Sequence, residues 1–230
     1  MNPKVLRPLV AEFVGTALFV FLGVASIVVN AASNGAVGLP GIALAHGVGM
    51  AIIVTMTMSI SGGHINPAVS VALWLAQKID GRTLGRYVAA QLLGAVVGAL
   101  LVKGLFPVMA ARVTSLGTPQ LTGTLGLFEG IGIEAVLTFF LVSAVFGTAV
   151  SSQAPKVGGF GIGLAILVCG LAAGPLTGAA MNPARAFGPA LVAWEWHGQA
   201  VYWIGPLLGA TVAGALWKFV LLPRDVTSLT

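Results

Sequence analysis

The residues of this chain best suited to chemistry come in pairs. Asn66-Pro67-Ala68 recurs as Asn182-Pro183-Ala184, with Arg185 directly after the second copy, and Glu12-x-Val14-x-Thr16 recurs as Glu134-x-Val136-x-Thr138. Asn-Pro favours a helix start: proline at the first helical position gives up an N–H that has no helical partner, and the preceding asparagine can accept from the free amides of that turn. Two such starts meeting end to end bring two positive helix ends together, a site that repels cations. The sequence offers no cluster of His, Cys and carboxylates at ligand spacing, no Gly-rich phosphate loop, no nucleophile elbow and no catalytic dyad. The expectation is therefore no catalytic residue, no metal, no cofactor and no enzyme.

The elements that must position these residues lie in a membrane. Of 230 residues, 57% are hydrophobic and 7% charged, where a soluble domain carries about a quarter charged. Apolar runs long enough to cross a bilayer are predicted near 8–29, 39–60, 83–106, 126–148, 158–177 and 199–221. Two further stretches near 61–76 and 177–193 are too short to cross and hold the Asn-Pro motifs, so they read as re-entrant segments. The fold class is thus an all-α membrane protein of six transmembrane helices plus two re-entrant half-helices. The formal charge of +5 is spread over short loops, which argues against nucleic acid as a partner, and the single cysteine, Cys169, allows no intrachain disulfide. Cys169 reads as packing. Lys4, Arg7, Lys78, Arg82, Arg86, Lys156, Lys218 and Arg224 fall on one side of the spans, which predicts that both termini are cytoplasmic; Lys103 and Arg112 are the basic residues on the other side.

The chain reads as one domain, 1–230, made of two repeats of about 1–110 and 120–225. Besides the two paired motifs, Gly41-Ile42-Ala43-Leu44-Ala45 matches Gly161-Ile162-Gly163-Leu164-Ala165, and Leu92-Leu93-Gly94-Ala95 matches Leu207-Leu208-Gly209-Ala210. Three crossings per half invert the second half relative to the first, so the short segments enter from opposite faces and meet near the midplane. Gly94-x-x-x-Gly98 and Gly205-x-x-x-Gly209 allow close backbone approach between helices.

The paired Asn-Pro-Ala motifs, within Ser61-Gly62-Gly63-His64-Ile65-Asn66-Pro67-Ala68 and Met181-Asn182-Pro183-Ala184-Arg185, resemble those of the aquaporin (major intrinsic protein) family over essentially the whole chain. The resemblance is to a prokaryotic-type water channel. It implies one narrow pore per subunit, a homotetramer in the cell membrane, and water as the permeant. Asn66 and Asn182 would then hold a passing oxygen by side-chain N–H groups, while the half-helix dipoles and Arg185 oppose cations and protons. Glu12 and Glu134 resemble family glutamates that accept from the non-helical backbone, and His64 either buttresses its loop or touches a vestibule.

By family spacing the outer filter is His46, Gly170, Ala179 and Arg185. Water-specific members commonly carry an aromatic where His46 stands and His where Gly170 stands. Glycerol-conducting members often share a small residue at Gly170, but they pair it with aromatics at the other two sites and carry Asp where Ala186 stands. Two readings stay open: a roomier, polar mouth that also admits ammonia, urea or hydrogen peroxide, or a mouth in which His46 packs against Arg185 and refills the space. Tyr202 and Trp203 read as interfacial or packing aromatics, and Arg185 has a snorkelling interfacial alternative. A glycerol or other small-solute facilitator, a secondary transporter and a structural membrane protein are the competing functions.

Overall fold

A computed structural model of the chain describes residues 2–113 and 115–223, so Arg224 and the end of the second predicted repeat lie outside the described residues. Six helices in it are long and apolar enough to cross a membrane. They are α1 (Pro3–Ala32), α2 (Gly38–Ser61), α4 (Gly81–Leu105), α6 (Leu127–Val145, continued by a π turn at Phe146–Val150), α7 (Phe160–Thr177) and α9 (Val201–Leu216, continued by a π turn at Trp217–Leu221). The half-helices are α3 (Pro67–Leu75) and α8 (Pro183–Ala193). A one-turn helix, α5 (Pro107–Ala110), and the two π turns have no counterpart in the sequence reading.

Local chemistry sets most of the boundaries. Asn2 accepts from Lys4 N–H at 2.9 Å ahead of Pro3, and the Asp80 carboxylate accepts from Thr83 N–H at 2.6 Å to open α4. That bond from the Thr83 backbone holds the Asp80 carboxyl below its ordinary range. Gly62 (φ 90°) and Gly178 (φ 82°) end α2 and α7 at equivalent places, in a left-handed conformation that glycine adopts without a Cβ penalty. The chain then turns inward without helix, through further positive-φ residues at Gly63, Ile65, Ala179 and Met181, and Asn66 and Asn182 restart helices immediately before Pro67 and Pro183.

The helices pack chiefly as α1 on α4 and α2, α6 on α9 and α7, and α2 on α7. Each half-helix leans mainly on the last span of the opposite half, α3 on α9 and α8 on α4. Gly98 lets α4 reach the Ala17 carbonyl of α1, and Gly209 lets α9 reach the Ala135 carbonyl of α6; a Cβ at either would overlap that oxygen. The outward faces are apolar stripes, such as Val10, Val14, Leu18 and Leu22 on α1 and Leu44, Val48, Ile52 and Met56 on α2, all exposed. Polar side chains are gathered inside, among them Glu12, Glu134, Gln91, Asn66, Asn182 and Arg185. This distribution suits lipid outside and a polar interior.

Candidate functional site

The two re-entrant loops are fastened to buried carboxylates by matching bonds. Glu12 accepts from Ser61 Oγ (2.6 Å), His64 N (3.0 Å) and Ile65 N (2.7 Å); Glu134 accepts from Thr177 Oγ1 (2.7 Å), Ala180 N (2.9 Å) and Met181 N (2.7 Å). Ser61 and Thr177 occupy equivalent last positions of α2 and α7 and in turn accept from Gly63 N and Ala179 N, each at 3.1 Å. Both carboxylates are fully buried, so these donors supply what water cannot. Tyr87 and Tyr202 complete the anchors by donating their hydroxyls to Ser61 O (2.9 Å) and Thr177 O (2.8 Å). Tyr202 is thereby a wholly buried packing residue and not an interfacial one. His64 sits against its own loop, with Nδ1 3.0 Å from Ser70 Oγ and its ring edge-on to Tyr87 at 5.0 Å.

At the centre the loops grip each other. Asn66 Oδ1 accepts from Ala68 N (2.8 Å), and Asn182 Oδ1 from Ala184 N (3.0 Å) and Arg185 N (3.2 Å). The amide nitrogens cross over: Asn66 Nδ2 donates to Met181 O at 2.8 Å and Asn182 Nδ2 to Ile65 O at 3.0 Å. A primary amide carries two N–H donors, so each asparagine retains one beyond this cross-bond. Ile65 (φ 55°) and Met181 (φ 49°) adopt the left-handed region, uncommon for Met and an outlier for β-branched Ile. Each is held there at both ends, by a carboxylate on its N–H and an asparagine on its C=O.

At one mouth, Arg185 is buried, 3% exposed, and donates from Nη1 to Gly117 O at 2.9 Å. Gly117 belongs to the connection between α5 and α6, which is tied down by Thr122 N donating to Leu176 O at 2.9 Å. His46 Nδ1 lies 2.9 Å from Ile42 O, and since a carbonyl only accepts, Nδ1 carries the hydrogen. Nε2 is then an acceptor and faces Arg185 Nη2 at 3.4 Å. Phe19 meets the imidazole edge-on at 5.8 Å. His46, Gly170, Ala179 and Arg185, the four residues singled out by spacing, all line one cavity of about 380 Å³. Gly170 also seats α7 against α2, since a Cβ there would stand 3.2 Å from the Ala43 methyl. Cys169, one residue away, is buried with Sγ 3.9 Å from Leu137 O.

Several of these roles had no voice in the sequence reading, which had Ser61 only within the first motif stretch and Tyr202 only as an interfacial or packing aromatic. Ser61 and Thr177, and likewise Tyr87 and Tyr202, sit at equivalent positions of the two halves, and that pairing is the signal that would have found their roles. Gln91, which donates to Glu12 at 2.7 Å and to Ser70 Oγ at 3.0 Å, has no such twin. Gly117 acts through its backbone carbonyl, which no residue type announces.

This arrangement of six spans, two half-helices joined by crossed asparagine bonds and an arginine at one mouth is that of a membrane channel. The sequence model of the family described as Major intrinsic protein matches residues 1–217, and the chain belongs to that family. It is 42% identical to Aquaporin TIP4-4 of Zea mays, over 96% of this chain and 92% of that one. It is 38% identical to Aquaporin-8 of Mus musculus, over 94% and 82%. Its fold matches the X-ray structure of the aquaglyceroporin from Plasmodium falciparum with a TM-score of 0.83, at 26% identity and covering 94% and 96% of the two chains.

Proposed function

We propose that this aquaporin is a passive channel for water and small neutral solutes that excludes protons and ions, with one pore per chain. The observation that carries the reading is the crossed asparagine pair: each amide spends one N–H on the opposite loop and keeps one for a permeant oxygen, between two half-helix N-termini. A water held by both amides has its lone pairs engaged and turns its hydrogens outward along the pore, which interrupts a relay of protons; the positive helix ends and Arg185 add a barrier to cations. Coupled transport would call for an ionisable site free to change state, whereas Glu12 and Glu134 are saturated by structural donors. The fold is read as an inverted repeat, the assembly as a homotetramer, and the location as the cell membrane with both termini in the cytoplasm.

For solute range, Gly170 and the partial exposure of His46 support a mouth wider than single-file water needs. His46 leans on Arg185 and still leaves the cavity beside Gly170 open, which favours ammonia, urea and hydrogen peroxide; the small Gly170 is also what supports glycerol as the alternative permeant. Stopped-flow light scattering on proteoliposomes tests both. Water flow well above that of empty vesicles is expected, with urea or ammonia flux also raised and no ionic current. Water flow at background or a reproducible cation current overturns the channel reading, and a glycerol flux exceeding that of urea reassigns the solute class. Gly170→Ala is expected to lower solute flux more than water flux, and an unchanged ratio rejects the wide mouth.

A further inference from the structure

The half-helices expose a second pair of ends, away from the centre, and each is met by a lysine from the other half of the chain. Lys218, in the π turn that ends α9, donates from Nζ to Leu75 O at 2.9 Å, the last residue of α3. Lys103, in the last turn of α4, donates from Nζ to Val192 O at 3.3 Å, one residue short of the end of α8. The two lysines share more than an approximate place. Leu92-Leu93-Gly94-Ala95 and Leu207-Leu208-Gly209-Ala210 align at a separation of 115 residues, and 103 and 218 differ by the same 115. Each lysine thus reaches the far end of the half-helix that leans on its own span, α3 on α9 and α8 on α4.

We infer that Lys103 and Lys218 are positioning residues of the central cation barrier, acting through the half-helices that they cap; this rests on the channel reading above. A helix presents about half a positive charge at its N-terminus and about half a negative charge at its C-terminus. Seen from the pore centre, the far end subtracts from the near one. α3 has 9 residues and α8 has 11, so the far ends lie only about 14 and 17 Å from the near ones at 1.5 Å per residue. A lysine ammonium on the terminal carbonyls cancels the negative end and leaves a surplus of positive charge. Each half-helix then acts toward the centre as a net positive charge and not as a dipole. At an effective dielectric of about 20, a full charge at that distance alters cation entry roughly three- to seven-fold once water at the mouth is allowed for. Lys218 is half-buried with the shorter bond and Lys103 is exposed, so Lys218 carries the larger share.

Glutamine separates charge from capping, because its side-chain amide still donates to a carbonyl and carries no charge. Lys103→Gln, Lys218→Gln, the double variant and Lys218→Arg are reconstituted in liposomes, both in the wild-type background and with Arg185→Val to unmask the centre. Proton leak is read with an entrapped pH dye under an imposed potential, and water flow on the same vesicles. The expected result is a leak raised roughly three- to seven-fold by Lys218→Gln, about two-fold by Lys103→Gln and multiplicatively by the pair, with water flow unchanged and Lys218→Arg like wild type. A double variant with normal water flow and unchanged leak overturns the inference and leaves the channel intact, as does a leak raised equally by Lys218→Arg, which would mark packing as the cause. If the glutamine variants fail to assemble while Lys218→Arg assembles, leak in wild-type vesicles that does not respond to ionic strength at the mouths overturns it too. Wild-type vesicles without fast water flow bring down the channel reading itself.

Discussion

The two halves of the chain build the same anchor from unequal parts. Glu12 and Glu134 each accept one hydroxyl and two successive backbone amides, with near-equal distances, and Tyr87 and Tyr202 buttress the loops in the same way. The first half adds Gln91 and Ser70, where the second half has Pro206 and Ala186, so Glu12 has a fourth donor. The second half has Arg185 where the first has Val69. The shared residues hold the two loops in one shape, and the unshared ones give each loop its own task. Loop one is a closed polar network, while loop two exchanges part of that network for a charge at the mouth.

Removing the carboxylates tests the shared part most severely. Glu12→Ala strands four donors and Glu134→Ala three, and a buried donor without a partner costs about 1–3 kcal/mol. Both variants are expected to lose most of their stability against SDS unfolding, with Glu12→Ala worse by about 1 kcal/mol or more; equal losses would mean that Gln91 adds nothing to its anchor. Arg185→Val makes the second loop match the first. Proton leak is then expected to rise about tenfold or more, equivalent to about 1.4 kcal/mol of barrier, with water flow retained, and a folded variant with unchanged leak would place the whole barrier at the asparagines. Gln91→Leu removes the donor unique to the first half and is expected to cost about 1.5 kcal/mol by the same unfolding assay, without altering flux. The smallest effects belong to the twin tyrosines. Tyr87→Phe and Tyr202→Phe should each cost about 1 kcal/mol, and losses differing by more than that value would break the equivalence of the two anchors.

Much of the frame was legible because its causes are local. The spans are unbroken apolar runs, and the half-helices announce themselves through asparagine and proline at adjacent positions, where one side chain caps and the next tolerates the missing bond. The ends of the spans were placed within a few residues, α1 excepted, which begins at Pro3, five residues before the expected start at residue 8, and the half-helices begin six residues inside the expected re-entrant segments, at Pro67 and Pro183. The π turns at Phe146–Val150 and Trp217–Leu221 escaped, since an extra residue in a helical turn leaves the apolar run intact. Ile65 and Met181 escaped for a different reason: nothing in either residue type invites a positive φ, and the conformation is imposed by partners far along the chain. Arg185 was legible as a charge and His46 as a polar residue in the same cluster, but not the Gly117 carbonyl that fixes the arginine. Lys103 and Lys218 were read only as markers of membrane sidedness.

The crossed asparagine bonds also constrain the order in which the protein can be made. Asn66 meets Met181 across 115 residues and Asn182 meets Ile65 across 117, so the first loop leaves the ribosome long before the segment that completes it exists. Until then the Ile65 carbonyl lacks its asparagine and α3 lacks α9, the span it leans on most. Pairings this distant close late and slow folding. Neither crossed bond can form before the second re-entrant segment has been made and docks against the first.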